Sequence, residues 1–280
     1  MAVKIVTDGS SDIPKELARE LDITVVPMTV AFDGDAYLDG IDITADEFYT
    51  RIVDTKVWPT TAAPSIGQFA QVYNEMAKET DEIVAVLLST KYSPCYEFGV
   101  RAKDLVDGNC RIEVIDSKFG ASPLGLLTIA AAKAAKAGAG MDDVVALVKG
   151  TIPKTHILLF FDTLKYLKKG GRIGKAESLM GSVLGVKPLV TIKDGETHPV
   201  GRVRSRREGL DRLYKFATSF SSISEMIVEH TDIPKESDSL TRRIAEELPQ
   251  TRIYSTRVCP VIGAHLGPGA IGVSVIEGQS

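Results

Sequence analysis

Three hydroxyls, Ser89, Thr90 and Ser93, follow the apolar run EIVAVLL (82–88), and Pro94 comes next. The run has the composition of a buried strand. Ser-Pro is a favoured helix start, serine as N-cap and proline as first helical residue. The spacing therefore predicts a helix over PCYEFGVRAKDL with Ser93 as its cap. A hydroxyl in that place has two readings. It caps the helix and does nothing else, or it donates to a bound anion. Ligands of open α/β sheets sit at the carboxyl ends of the strands, and helix N-termini favour negative charge.

Two further stretches repeat the theme. In PTTAAPS (59–65), Thr60 and Thr61 precede a proline and the capping box Ser65-x-x-Gln68. Two such turns could converge on one anion. IGAHLGPGAIG (262–272) holds four glycines around His265. It reads as a turn whose glycines let the backbone close over a ligand. His265 could donate from either ring nitrogen, or become cationic beside an anion.

LKYLKKGGRIGK (164–175) clusters lysine and arginine around Gly170-Gly171, but it has neither the GxxxxGK[ST] nor the GxGxxG spacing. No nucleotide site is read from it. Ser93 and His265 could also form a serine hydrolase pair. KYSPC lacks the GxSxG elbow, however, and Pro94 removes the nearest oxyanion donor. That reading, and a protein that docks a partner without any ligand, stay open as alternatives. No His/Cys/carboxylate cluster has the spacing of a metal site, and no cofactor is called for.

The elements that must position these residues alternate in the first half. VKIV, ITVVPMTVAF, EIVAVLL and RIEVID read as strands. Helices are expected after Pro14, from the capping box Thr44-x-x-Glu47, from Ser65, after Ser93 and over the Ala-rich SPLGLLTIAAAKAAKAG. That alternation predicts a largely parallel sheet. The second half mixes strands and helices around Asp194-Gly195, a strong hairpin signal. The expectation is two α/β domains, residues 1–150 and 151–280, the second with antiparallel pairing and the ligand between them.

Composition narrows the function classes. With 280 residues and 44% hydrophobic content the chain can bury a sizeable core. A net charge of −4 argues against nucleic acid as partner. The three cysteines have no CxxC spacing, and a reducing cytoplasm is the simplest setting. The start MAVKIVTDGSSD has no signal-peptide core, and no apolar window approaches a membrane span. Residues 151–220 carry fourteen Lys/Arg against six Asp/Glu. This asymmetry reads as a solvated surface or as a docking face for an acidic partner or a phosphate.

TDGSSDIP, TTAAPS, STKYSPCY, LKYLKKGGRIG and HLGPGAIG occur in this order along the chain. Together they resemble the motifs of the DegV family. The resemblance implies a two-domain α/β protein that binds one long-chain fatty acid, such as palmitate. The acyl chain would lie in an internal tunnel, with its carboxylate near the domain interface. It further implies Thr61, Ser93 and His265 as carboxylate partners, with Arg172 and the arginines of GRVRSRR on a basic face. Some members of the family are the acyl-carrying subunit of a two-component fatty acid kinase. They present the fatty acid to a separate ATP-binding subunit. Two departures stand out. Ala62 and Ala63 replace polar residues of the family turn, and Pro94-Cys95 stands where the family has Gly-Thr.

Overall fold

The structure is a computed structural model and describes residues 2–55, 57–180 and 186–278. The first half runs β1 (Lys4–Asp8), α1 (Lys15–Glu20), β2 (Ile23–Val26), β3 (Thr29–Phe32), β4 (Asp35–Leu38), α2 (Ala45–Asp54) and β5 (Thr60–Ala62). It continues with α3 (Ile66–Ala77), β6 (Glu82–Leu87), α4 (Cys95–Ala102), β7 (Arg111–Asp116), α5 (Ala121–Lys136) and α6 (Met141–Thr151). The second half runs β8 (Thr155–Phe160), α7 (Lys165–Lys169), β9 (Lys187–Lys193), β10 (Glu196–Val203) and α8 (Arg206–Ala217). It closes with β11 (Ile223–His230), α9 (Pro234–Glu247), β12 (Ile253–Arg257), α10 (Pro260–Leu266) and β13 (Ile271–Glu277).

Three sheets result. β2-β1-β6-β7 is parallel throughout. β10-β9-β8-β13-β11-β12 is antiparallel except for the β11–β12 pair. A small antiparallel sheet has the order β4-β3-β5. The architecture is α/β with a parallel sheet from the first half and a mixed one from the second, as the alternation of elements predicts. Asp194 and Gly195 turn the β9–β10 hairpin with φ of 54° and 84°, the left-handed pair that a tight turn between twisted strands requires.

The expected single strand over residues 23–32 is two. Pro27 has no N–H to continue a ladder, so β2 stays in the parallel sheet and β3 leaves for the small one. Both expected capping boxes form. Thr44 and Glu47 close the start of α2, and Ser65 and Gln68 close the start of α3. The cap of α4 differs from expectation. The helix begins at Cys95, and the Pro94 carbonyl accepts the first helical bond from Phe98 N–H at 2.9 Å. Ser93 therefore lies one residue outside the cap.

Helix α5 lies between the two large sheets, packed on β1 and β6 on one side and on β8, β11 and β13 on the other. Burial extends round most of its circumference, and its alanines permit the close approach. Its first turn has no side-chain cap of its own. Ala121 N–H donates to Ser10 O at 2.8 Å, and Ser122 N–H to the Glu229 carboxylate of β11 at 2.9 Å. Ser122 Oγ also meets Ser274 Oγ of β13 at 2.6 Å. Burial raises the Glu229 carboxyl to about 7, against the two Ser122 hydrogen bonds that pull it down.

Among the described residues no helix is long and apolar enough to cross a membrane. The basic segment is partly spent on internal pairing. Arg206 reaches Asp162, Glu236 and the Gly269 carbonyl, and Arg202 holds the carbonyls of Ser178 and Leu179. Replacing Ser65 by Ala should cost about 1 kcal/mol through loss of the α3 box. Urea unfolding checks this, with a lower midpoint and an unchanged slope as the expected result.

Candidate functional site

A cavity of about 380 Å³ opens between the carboxyl ends of the parallel strands and the facing side of the mixed sheet. This is within the range of small-molecule sites, about 300–1,000 Å³. Leu88, Phe98, Leu159, Phe161, Val190 and Ile192 give it an apolar wall. Thr61, Ser93, Arg172 and His265 also line it, with Tyr92 and Thr197. These polar groups come from five elements or their junctions and form separate hydrogen-bonded sets, Thr61 with His265, Ser93 with Cys95, and Arg172 with Tyr92 and Thr197.

Thr61 lies on β5, paired with Val30 of β3. Its Oγ1 is 2.9 Å from His265 Nε2. His265 is not in the glycine turn that the sequence suggests. It sits on the last turn of α10, and the turn begins after it at Gly267, with φ of 73°. Its Nδ1 is buried and has no hydrogen-bond partner among the described residues. Burial, and then the charge of Arg172, lower the imidazole to about 4. The histidine is neutral in the unliganded protein, which is the neutral donor of the two states open to it in the sequence. A hydrogen on Nε2 satisfies the contact best. It donates to Thr61 Oγ1 and leaves the threonine hydrogen free for a ligand, and the orphan is then an acceptor lone pair on Nδ1.

Ser93, outside the cap of α4, directs its Oγ to the Cys95 thiol at 3.2 Å. A thiol is a weak partner that a better acceptor can displace. Burial raises the Cys95 thiol well above its ordinary range. Ser89 and Thr90, grouped with Ser93 in the sequence, have other uses. Ser89 Oγ donates to Gly195 O of the β9–β10 turn at 2.8 Å, and Thr90 Oγ1 to Asp116 at 2.9 Å. Thr60 is exposed on its strand. Of the hydroxyls flagged in the two turns, Thr61 and Ser93 are the ones that line the cavity.

Arg172 follows α7 and crosses to the first half. Its Nε donates to Tyr92 O at 3.1 Å and its Nη1 to Gly170 O. Tyr92 Oη meets Thr197 Oγ1 at 3.0 Å, and Thr197 Oγ1 donates to Arg172 O at 2.8 Å. Arg172 thus belongs to the cavity rather than to an outer basic face. Tyr92 and Thr197 escaped the sequence reading because nothing in spacing joins residues 105 apart. Their only signal is adjacency, Tyr92 to Ser93 and Thr197 to the predicted hairpin. No hydrogen bond joins Ser93 to His265 among the described residues, since the imidazole is turned to Thr61. Nor do these residues contain a His/Cys/Asp/Glu group that could hold a metal ion.

The lowered His265 value gives a pH dependence. Its folded value of about 4 lies below the ordinary imidazole value, so between the two the unfolded chain binds the extra proton. The contribution is fully present above the ordinary value of about 6.5 and is lost as pH falls toward the folded value. It amounts to on the order of 3 kcal/mol. Urea midpoints between about pH 4 and 7 should fall less steeply for His265→Gln than for wild type. Parallel profiles would mean an imidazole that titrates normally.

Comparison with known proteins agrees with this fold. A family model described as uncharacterised protein, DegV family, matches residues 2–278. A DegV domain-containing protein of Caldanaerobacter subterraneus subsp. tengcongensis is 37% identical over 275 residues, 97% of each chain. A DegV family protein of Thermus thermophilus, described for fatty acid binding, superposes with a TM-score of 0.91 at 28% identity, covering 99% of this chain and all of its own. A stearic acid-binding protein of Eubacterium ventriosum does so with a TM-score of 0.91 at 30% identity, over 98% of each chain. Matched across nearly its whole length, the chain belongs to the DegV family.

Proposed function

We propose that the protein binds a long-chain fatty acid in the cavity, with the carboxylate at the Thr61–Ser93–Arg172–His265 cluster. We take residues 1–150 and 151–280 as the two domains that enclose it. The observation that carries the reading is the cavity itself. An apolar wall meets hydroxyls, an imidazole and an arginine guanidinium that line one end of the same cavity. Solved relatives described as fatty acid binding support it.

The energetics agree with this division of labour. A buried methylene gains about 0.8 kcal/mol, so a sixteen-carbon chain gains roughly 11–12 kcal/mol gross, and association and chain ordering cancel a large part. The apolar wall supplies affinity, and the polar cluster supplies orientation and head-group choice. A carboxylate out of water needs donors or it protonates. Thr61 and Ser93 supply hydroxyl hydrogens, and Arg172 supplies the charge. With that charge fixed, His265 needs no proton of its own and serves by orienting Thr61. Ala62 and Ala63 add no hydrogen bonds at this end, and Pro94 withholds a backbone N–H. The remaining side-chain donors therefore carry more of the selectivity.

Native mass spectrometry of protein purified from bacteria should find a fatty acid of a few hundred daltons. Ser93→Ala and Thr61→Val should each weaken palmitate binding by about 1–3 kcal/mol, the cost of one lost bond to a charged group. A protein that arrives empty and fails to bind palmitate or oleate in fluorescence displacement removes the reading.

We extend the proposal to presentation of the bound acid to a separate ATP-binding kinase subunit, with the basic segment 151–220 as the docking face. Arg204 is the suitable probe because it is exposed, whereas Arg202 holds the Ser178 and Leu179 carbonyls. Arg204→Glu should leave palmitate affinity unchanged and slow phosphorylation by an added kinase subunit, most clearly at low salt. Rates indifferent to both salt and this substitution would reduce the segment to a solvated surface.

A further inference from the structure

We propose that Gly170 is the positioning residue of the polar cluster. Its missing side chain forms the slot that seats the His265 imidazole, and its carbonyl holds the Arg172 guanidinium. The consequence for ligand affinity rests on the fatty acid reading above; the seating of His265 does not.

Two adjacent glycines divide the roles here. Gly171 has φ of 71°, a left-handed conformation that favours glycine, and open space where a side chain would be. Gly170 has φ of −76° and ψ of −5°, which any residue adopts. Space, not backbone, requires glycine at 170. A Cβ there would lie 2.2 Å from His265 Nδ1 and 2.9 Å from its Cε1, closer than real Cβ atoms come to any neighbour.

The imidazole cannot yield while keeping its bond. On its other edge, Nε2 meets Thr61 at 2.9 Å. Helix α10 cannot back away either, because a Cβ at Gly263 would already be 2.5 Å from the Tyr49 hydroxyl. A methyl at 170 must therefore turn the ring out of the slot and break the Thr61 contact. The packing is reciprocal. A Cβ at Gly267, just after α10, would lie 2.2 Å from the Tyr166 ring of α7. Tyr166 in turn stacks on Trp58, with centroids 4.6 Å apart. Each segment leaves out a side chain where the other inserts a ring. The Arg172 bond to the Gly170 carbonyl fixes the cation to the same point.

The test is Gly170→Ala, alone and combined with His265→Ala. It is read by NMR titration of the His265 imidazole and by palmitate displacement. In the single variant the imidazole should titrate near its ordinary value of about 6.5 instead of lower, and palmitate affinity should fall about 5- to 100-fold. On the His265→Ala background the alanine at 170 should cost less than about 2-fold, because the ring it displaces is gone. If the single variant does not fold, the double variant should, for the same reason. A wild-type titration and affinity in Gly170→Ala overturns the proposal. So does an equal loss of affinity or of folding with and without His265. If wild type binds no palmitate and the His265 titration still moves, the seating stands and the fatty acid reading falls.

Discussion

The first turn of α5 is the point on which the rest of the molecule depends. A helix buried on nearly every side cannot leave its leading N–H groups to water. Here they are taken by both halves of the chain, Ser10 O after β1 and the Glu229 carboxylate of β11. One helix start thus fixes the two large sheets relative to each other. Gly125 continues the contact, since a Cβ there would be 2.4 Å from the Ser11 carbonyl. The cavity lies beside this junction, and Gly120 and Ala121 are part of its lining. Asp8 does similar work within the parallel sheet. Its carboxylate receives Ser10 N–H at 3.0 Å and Leu88 N–H at 2.8 Å, so the ends of β1 and β6 stay together where the cavity begins.

At the polar cluster, charge and hydrogen bonding are separated. The positive charge is on the Arg172 guanidinium, and burial, with that charge beside it, keeps His265 neutral. A cluster of this kind does not need to gain a proton when an anion arrives. The hydroxyls are also separated by task. Ser89 and Thr90 stabilise the strand ends and the hairpin, while Thr61, held by His265, and Ser93, held only by the Cys95 thiol, face the cavity.

Much of the fold was legible in the sequence, because alternation, capping boxes and the Asp194-Gly195 turn are local signals. The parallel sheet of the first half, the β9–β10 hairpin and the start of α3 needed only such signals. Pro27 could have warned that residues 23–32 are two strands, but an apolar run on both sides hid the change of sheet. Residues such as Thr61, Ser93 and Arg172 were visible as residue types in suggestive turns. Their partners were not, since Tyr92–Thr197 and Thr61–His265 exist only once the two halves close. The protonation of His265 was left open for the same reason. A sequence shows that an imidazole is present and says nothing about its exposure to water or the arginine beside it.

The mutual fit of the α7 and α10 segments also bears on how this chain can change by inheritance. Positions 170 and 265 share one volume, and so do 166 and 267. A larger residue at either glycine is admissible only with a smaller one opposite. The two stretches LKYLKKGG and HLGPG, nearly a hundred residues apart, are therefore one packing unit. A chain with a side chain at 170 or 267 and the ring still opposite it would have no room for both.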